Sequence, residues 1–194
     1  MSNTAPLPLL GLLCFDTALG RCALVWSSEG IVGAQLPEEN ARATRDRMRQ
    51  RFSTAQEKLM PPPFVQQAVQ GIQRLLAGES ADHRELLAVP LDETALPTFN
   101  RCVLALTRQI PVGQTRSYGD IARALGQPGA ARAVGRAEAG NPFAPIVPCH
   151  RVTGAAGQGV GFSAHGGLHT KQRLQLIEAR AAGQATAVQQ SLFD

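Results

Sequence analysis

Apolar runs of strand length open the chain. Leu9–Phe15, Cys22–Ser27 and Gly30–Leu36 are separated by Asp16–Gly20 and Ser28-Glu29-Gly30, which have turn chemistry. This pattern predicts a strand meander. Glu38–Phe52 is polar and rich in arginine and predicts a helix; Met60-Pro61-Pro62-Pro63 then breaks the chain. Phe64–Leu76 predicts an amphipathic helix, with Phe64, Ala68, Ile72, Leu75 and Leu76 on one side and Gly78 at its end. Leu86–Leu91 reads as a further strand, and a boundary falls near residues 92–96.

The second half has helical periodicity. Pro97 can open a helix, along which Phe99, Cys102, Val103, Leu106 and Ile110 recur on one face until Pro111-Val112-Gly113. Ser117 is placed to cap a helix over Tyr118–Leu125, stopped by Gly126 and Pro128. Another helix, Gly129 to about Ala139, follows at once. Two helices around so short a turn predict a helix-turn-helix. Gly167–Ala181 reads as the last helix, and the residues after Gly183 as a polar tail. The organisation expected is α+β: 1–94 as a small N-terminal αβ domain, 95–182 as a mostly helical domain, and 183–194 as the tail.

Composition changes this picture little. An apolar content of 44% suits a packed core. Pro6–Phe15 is too short for a membrane span and lacks the basic region of a signal peptide. Cys14, Cys22, Cys102 and Cys149 have no Cys-x-x-Cys spacing. A disulfide framework is therefore not expected, and a reducing cytoplasm is. Cys14, Cys22 and His83 are the candidate metal ligands, but no convincing fourth stands with them, so no metal is expected. Charge is more telling. Between Asn100 and Arg151 there are seven arginines against Asp120 and Glu138, so the excess of +5 in this quarter exceeds the net +4 of the whole chain. Such a segment reads as a polyanion-binding face, or as an ordinary solvated surface in an arginine-rich protein.

Ile146-Val147-Pro148-Cys149-His150-Arg151 carries the chemistry. A thiol beside cationic groups is expected to have a lowered pKa and to act as a nucleophile. A free Cys is also often a small buried apolar residue, and the six residues alone favour that reading. Adjacent residues on a regular element cannot both point at one substrate, so a direct Cys–His pair is not expected. The helix after Gly129 is almost entirely Ala and Gly, with Arg132 near its start. It lacks the Asn, Gln and Lys that read base edges. Small side chains allow close backbone approach to a narrow groove, or tight core packing.

Four ordered segments settle these alternatives by resemblance. Residues 110–122 (IPVGQTRSYGDIA), 130–135 (AARAVG), 141–152 (NPFAPIVPCHRV) and 166–178 (GGLHTKQRLQLIE) closely resemble the O6-alkylguanine-DNA alkyltransferase family, the methylated-DNA–protein-cysteine methyltransferases. The resemblance covers about residues 97–180; the first 95 match in layout alone. It implies an N-terminal αβ domain with an antiparallel sheet and a ribonuclease-H-like layout, and a winged-helix-like C-terminal domain. It also implies stoichiometric transfer of an alkyl group, mainly methyl, from O6-alkylguanine, and from O4-alkylthymine, to Cys149, without a cofactor. His150 would act through a water, oriented by Glu178. Tyr118 would rotate and protonate the base. Arg132 would fill the vacated stack, and Asn141 would brace the site. Ala131, Ala133, Gly135, Ser117, Arg116 and Arg151 would complete the DNA face. Pro148, Val152, Phe162 and Ser163 would border the alkyl pocket with Tyr118. Phe162 stands where many relatives have Tyr, and Ala164-His165 reads as an insertion beside that pocket.

Duplex DNA is the expected partner, with a monomer as the default state and the nucleoid as the site of work. Gln189-Gln190-Ser191-Leu192-Phe193 resembles the peptide by which bacterial repair proteins bind the sliding clamp. A non-enzymatic lesion sensor or DNA-binding regulator is the alternative reading. Cys149 argues against the sensor, and the Ala-rich helix against sequence-specific regulation. A cysteine hydrolase would need a directly paired base and would turn over many times.

Overall fold

The strand Gly20–Trp26 (β2) is buried at every position from Cys22 to Trp26, which means that both of its faces are covered. In the computed structural model, which describes residues 9–157 and 161–184, β2 sits between Gly11–Thr17 (β1) and Ile31–Gln35 (β3). Both neighbours are antiparallel to it. A two-residue strand, Gln56–Glu57 (β4), pairs parallel to β1 and gives the order β3-β2-β1-β4. Side chains alternate across the sheet, as strand geometry requires. Ala23 and Val25 pack with Leu12 against Met48 of the helix Ala41–Arg51 (α1). Cys22, Leu24 and Trp26 face the helix Pro63–Ala77 (α2), which presents Val65, Ala68, Ile72, Leu75 and Leu76. Gly78 ends α2 in the left-handed region, φ 70°, and its N–H reaches back to the last turn.

The expected strand over 86–91 is not formed. Arg84–Leu87 is instead a single helical turn (α3), and only Leu91 makes a bridge, to Ile31. The cause lies in the backbone carbonyls. Those of Leu86 and Val89 accept from the Arg108 guanidinium at 2.5 and 2.6 Å, and that of Glu85 accepts from Gln67. The N–H groups of Leu86, Leu87, Ala88 and Val89 donate back to the carbonyls of His83, Arg84 and Leu86, and Pro90 has none, so the donors of a ladder are spent.

The second half follows the predicted punctuation. Thr98–Arg108 (α4), Tyr118–Ala124 (α5), Ala131–Ala139 (α6) and Gly167–Ala181 (α7) are helices. Pro97 flanks α4 as its cap, and the residues ahead of α6 form a 3-10 turn, Pro128–Ala130. Val103, Ile110, Ile121, Val134, Ala137 and Val152 make a core between these helices. Ser117 and Asp120 form a reciprocal capping box at the start of α5. Arg116–Ser117 (β5) pairs in parallel with Val152–Thr153 (β6). This short ladder stitches the start of α5 to the turn carrying Cys149. No helix among the described residues is long and apolar enough to cross a membrane.

Candidate active site

Cys149, His150 and Arg151 form one 3-10 turn, and its tight winding sends the three side chains in different directions. All three are buried. Arg151 turns inward. Its Nε donates to Glu178 Oε2 at 2.8 Å, Nη2 to Glu178 Oε1 at 2.9 Å, and Nη1 to the Ile110 carbonyl. A DNA contact by Arg151 is therefore ruled out: the guanidinium is 1% exposed and its donors are committed to the core.

Glu178, on α7, also meets His150, with Nε2 and Oε1 2.7 Å apart. Burial pushes the Glu178 carboxyl up, but His150 and the Arg151 guanidinium outweigh it and hold it at about 2. An ionised carboxylate only accepts, so in the neutral ring Nε2 carries the hydrogen. That leaves Nδ1 as the nitrogen able to take a proton. Nδ1 is buried with no protein partner among the described residues. The His150 carbonyl is fixed from behind by Gln175 Nε2 at 2.7 Å.

Cys149 is not the low-pKa thiol expected from its sequence neighbours. Burial pushes it up to about 12, with the charge of Glu138 adding to the rise and Asn141 and Lys171 opposing it. His150 and Arg151 are turned to Glu178, so neither supports a resting thiolate. The thiol must lose its proton as it reacts. Asn141 holds the preceding turn: its Nδ2 donates to the Val147 carbonyl at 2.8 Å and its Oδ1 accepts from Phe143 N at 2.9 Å.

Cys149 lies on the wall of an open cavity of about 1110 Å³, also lined by Ser117, Tyr118, Arg132, Gly135, Glu138, Phe162 and Lys171. Ala131 and Ser163 border it as well, whereas Pro148 and Val152 do not. Val152 is fully buried in the helical core, facing away from the position expected for it. Arg132 is exposed on the rim, on the face of α6 opposite the buried Val134. Arg116 is exposed near the start of α5, and Ala133 is half-buried outside the cavity. A smaller cavity of about 260 Å³ also reaches Cys149, lined by Arg47 and Arg51 of α1, Asn141 and Phe162.

The profile of the 6-O-methylguanine DNA methyltransferase DNA-binding domain matches residues 98–188. The crystal structure of Mycobacterium tuberculosis OGT in complex with DNA superposes with a TM-score of 0.68 at 31% identity, covering 95% of this chain and 99% of that one. A methylated-DNA–protein-cysteine methyltransferase of Methanosarcina acetivorans is 40% identical over 115 residues, which are 59% of this chain and 69% of the relative. The chain belongs to the methylated-DNA–protein-cysteine methyltransferase family. Its likeness to the Mycolicibacterium paratuberculosis methyltransferase is higher but shorter, at 54% over 82 residues, 42% of this chain and 48% of that protein. The alignment thus spans about half the length of that relative.

Within this family member the structure brings Cys149, Tyr118 and Arg132 to one cavity and places Asn141, His150 and Glu178 behind it. Three groups at the site escaped the sequence reading. Lys171 Nζ donates to the Val152 carbonyl at 2.6 Å and lies 5.9 Å from the Tyr118 ring centroid. Gln175 holds the active-site turn. Glu138 is buried against Thr107, which donates to its Oε1. A signal existed for the first two: Lys171, Leu174, Gln175 and Glu178 share one face of α7 at helical spacing. Glu138 gave none, being one acidic residue in an Ala-rich helix.

Proposed function

We propose that this protein repairs DNA by accepting the alkyl group of O6-alkylguanine, and of O4-alkylthymine, on Cys149. The supporting observation is the cavity itself. A buried thiol lies on its wall, a carboxylate-oriented histidine stands behind the thiol, and an arginine stands on the rim. The target oxygen lies inside a stacked duplex, so the base is flipped out at a cost of a few kcal/mol. Arg132 takes its place in the stack, and the small side chains of α6, Ala131, Ala133 and Gly135, let the backbone approach the minor groove. Ser117 and Arg116 contact the adjoining phosphates, which makes binding weaken as salt rises.

His150 Nδ1 draws the Cys149 proton through a bridging water, the group that would satisfy a buried polar nitrogen there. The S–C bond forms as the C–O6 bond breaks. Tyr118 protonates the departing guanine, and the proton that His150 took from the thiol returns through water to Tyr118, so one proton in all passes to the base and atoms and charge balance. The product is a thioether, which has no acyl carbon for water to attack. Each molecule therefore reacts once, without cofactor. A cysteine hydrolase fits less well, because the His150 ring is bonded to Glu178 and not to the thiol. Phe162 and Ser163 border the space left for the alkyl group.

The protein works as a monomer scanning DNA in the cytoplasm, with residues 1–94 and 95–182 as its two domains. The clamp-binding peptide, Gln189–Phe193, lies outside the described residues; removing residues 189–194 should abolish binding to a purified sliding clamp, and an unchanged clamp interaction would dismiss it. The test of the main reading is incubation with an O6-methylguanine duplex followed by intact-mass measurement. A gain of one methylene, absent in Cys149→Ser, is expected; repeated turnover with no mass gain would overturn it.

A further inference from the structure

Glu138 stands out among the groups that the mechanism does not use. It is 4% exposed, yet it lines the same cavity as Cys149. Thr107 of α4 satisfies Oε1, while Oε2 is buried with no hydrogen-bond partner among the described residues. A buried carboxyl with a free oxygen is costly as an anion unless a cation compensates it. The nearby cation is Lys171 of α7, whose ammonium donates to the Val152 carbonyl, not to Glu138. The groups that feel the Glu138 charge are Tyr118 of α5, Cys149 of the active-site turn and Lys171. Asp120 and Arg123 at the cavity's edge are paired with each other, and Arg132 and Arg136 lie on the exposed face of α6.

We propose that Glu138 is a positioning residue for alkyl acceptance, whose ionisation, felt by Cys149 and balanced by Lys171, sets how readily the thiol gives up its proton. This deepens the acceptor reading of Cys149 and rests on it. The sign follows from charge. A neutral carboxylic acid leaves the developing thiolate alone; a carboxylate repels it. Burial raises the Glu138 carboxyl to about 7 against the opposing pull of Thr107 and Lys171. His150 takes the thiol proton within the protein, so the charge of Glu138 is what rising pH changes beside the thiol. The transfer rate should step down as Glu138 ionises near pH 7.

The experiment measures single-turnover methyl transfer to Cys149 across this range for the wild type, Glu138→Gln and Glu138→Asp. The Gln variant keeps an oxygen to accept from Thr107 and cannot ionise. It should match the wild type at acidic pH, lack the step, and react about tenfold faster at alkaline pH. The Asp variant should restore a step. Profiles that run parallel at all pH values would overturn the proposal, as would a wild-type profile without a step, a result that needs no variant. A step that persists in Glu138→Gln would place the titration elsewhere and also overturn it. Alkylation of Cys149 by iodoacetamide, located by peptide mass, separates this idea from the repair reading. It requires neither DNA nor methyl transfer, and the same step and its loss are expected. If that step is seen while no variant or wild type accepts a methyl group, the electrostatic coupling stands and the repair function falls.

Discussion

Replacing Glu178 by Gln tests the buried network behind Cys149. The exchange preserves shape but removes the charge that neutralises Arg151. Glu178 and Arg151 are 3% and 1% exposed, so water cannot take over the lost role. Removing one partner of a buried ion pair typically costs about 3–5 kcal/mol. The carboxyl itself leads to a similar figure. It falls from 4.5 to about 2 on folding, which corresponds to roughly 3 kcal/mol in favour of the ionised native form. The sign is that of a depressed acid: this stabilisation is complete above the ordinary carboxyl range and is lost as pH falls through the folded value near 2. Urea unfolding of the wild type and Glu178→Gln should show a gap of about 3 kcal/mol at pH 7. The gap should narrow steadily as the pH is lowered below about 4.5. A gap under about 1 kcal/mol at pH 7, or one independent of pH, would refute the reasoning.

The remaining predictions concern the cavity and its supports. Arg132→Ala should slow transfer from duplex DNA by roughly tenfold or more while leaving reaction with free O6-benzylguanine nearly unchanged, since only the duplex needs a flipped base; equal losses in single-turnover assays of both would remove its stack-filling role. Asn141→Ala removes the bonds to the Val147 carbonyl and Phe143 N. It should cost about 1–3 kcal/mol in denaturant unfolding, and a smaller loss would mean the turn holds itself. Gly113→Ala puts a Cβ at φ 76°, 2.7 Å from the Ala182 Cβ. A loss of about 1–3 kcal/mol is expected by thermal melting, and an unchanged melting temperature would show that the turn relaxes freely.

Much of this arrangement was legible in the sequence for identifiable reasons. The strands of the first half announced themselves because β2, covered on both faces, is continuously apolar. Ser117 and Asp120 marked the start of α5 through local capping chemistry. The false strand at 86–91 arose because its residues form an unbroken apolar run of strand length, while the Arg108 that takes its carbonyls lies far along the chain. The same limit applies at the site. The resemblance supplied Cys149, His150 and Glu178 as a set, but sequence adjacency misled on charge. Arg151 stands beside Cys149 in the chain and turns to Glu178 in space. Glu138 and Lys171, neither of them adjacent in sequence, are the charged groups that act on the thiol, the first raising it and the second lowering it. Electrostatics follow spatial neighbours, and the tight 3-10 turn separates the adjacent residues.

In the proposed repair reaction Cys149 is a nucleophile consumed by its own chemistry. The direct test is the stoichiometry of transfer: excess duplex carrying radiolabelled O6-methylguanine is added to a known amount of protein, and the label on each Cys-containing peptide is counted. One methyl group per molecule, all of it on the Cys149 peptide, is the result predicted. Label released into solution over many cycles, or label on Cys14, Cys22 or Cys102, would contradict it.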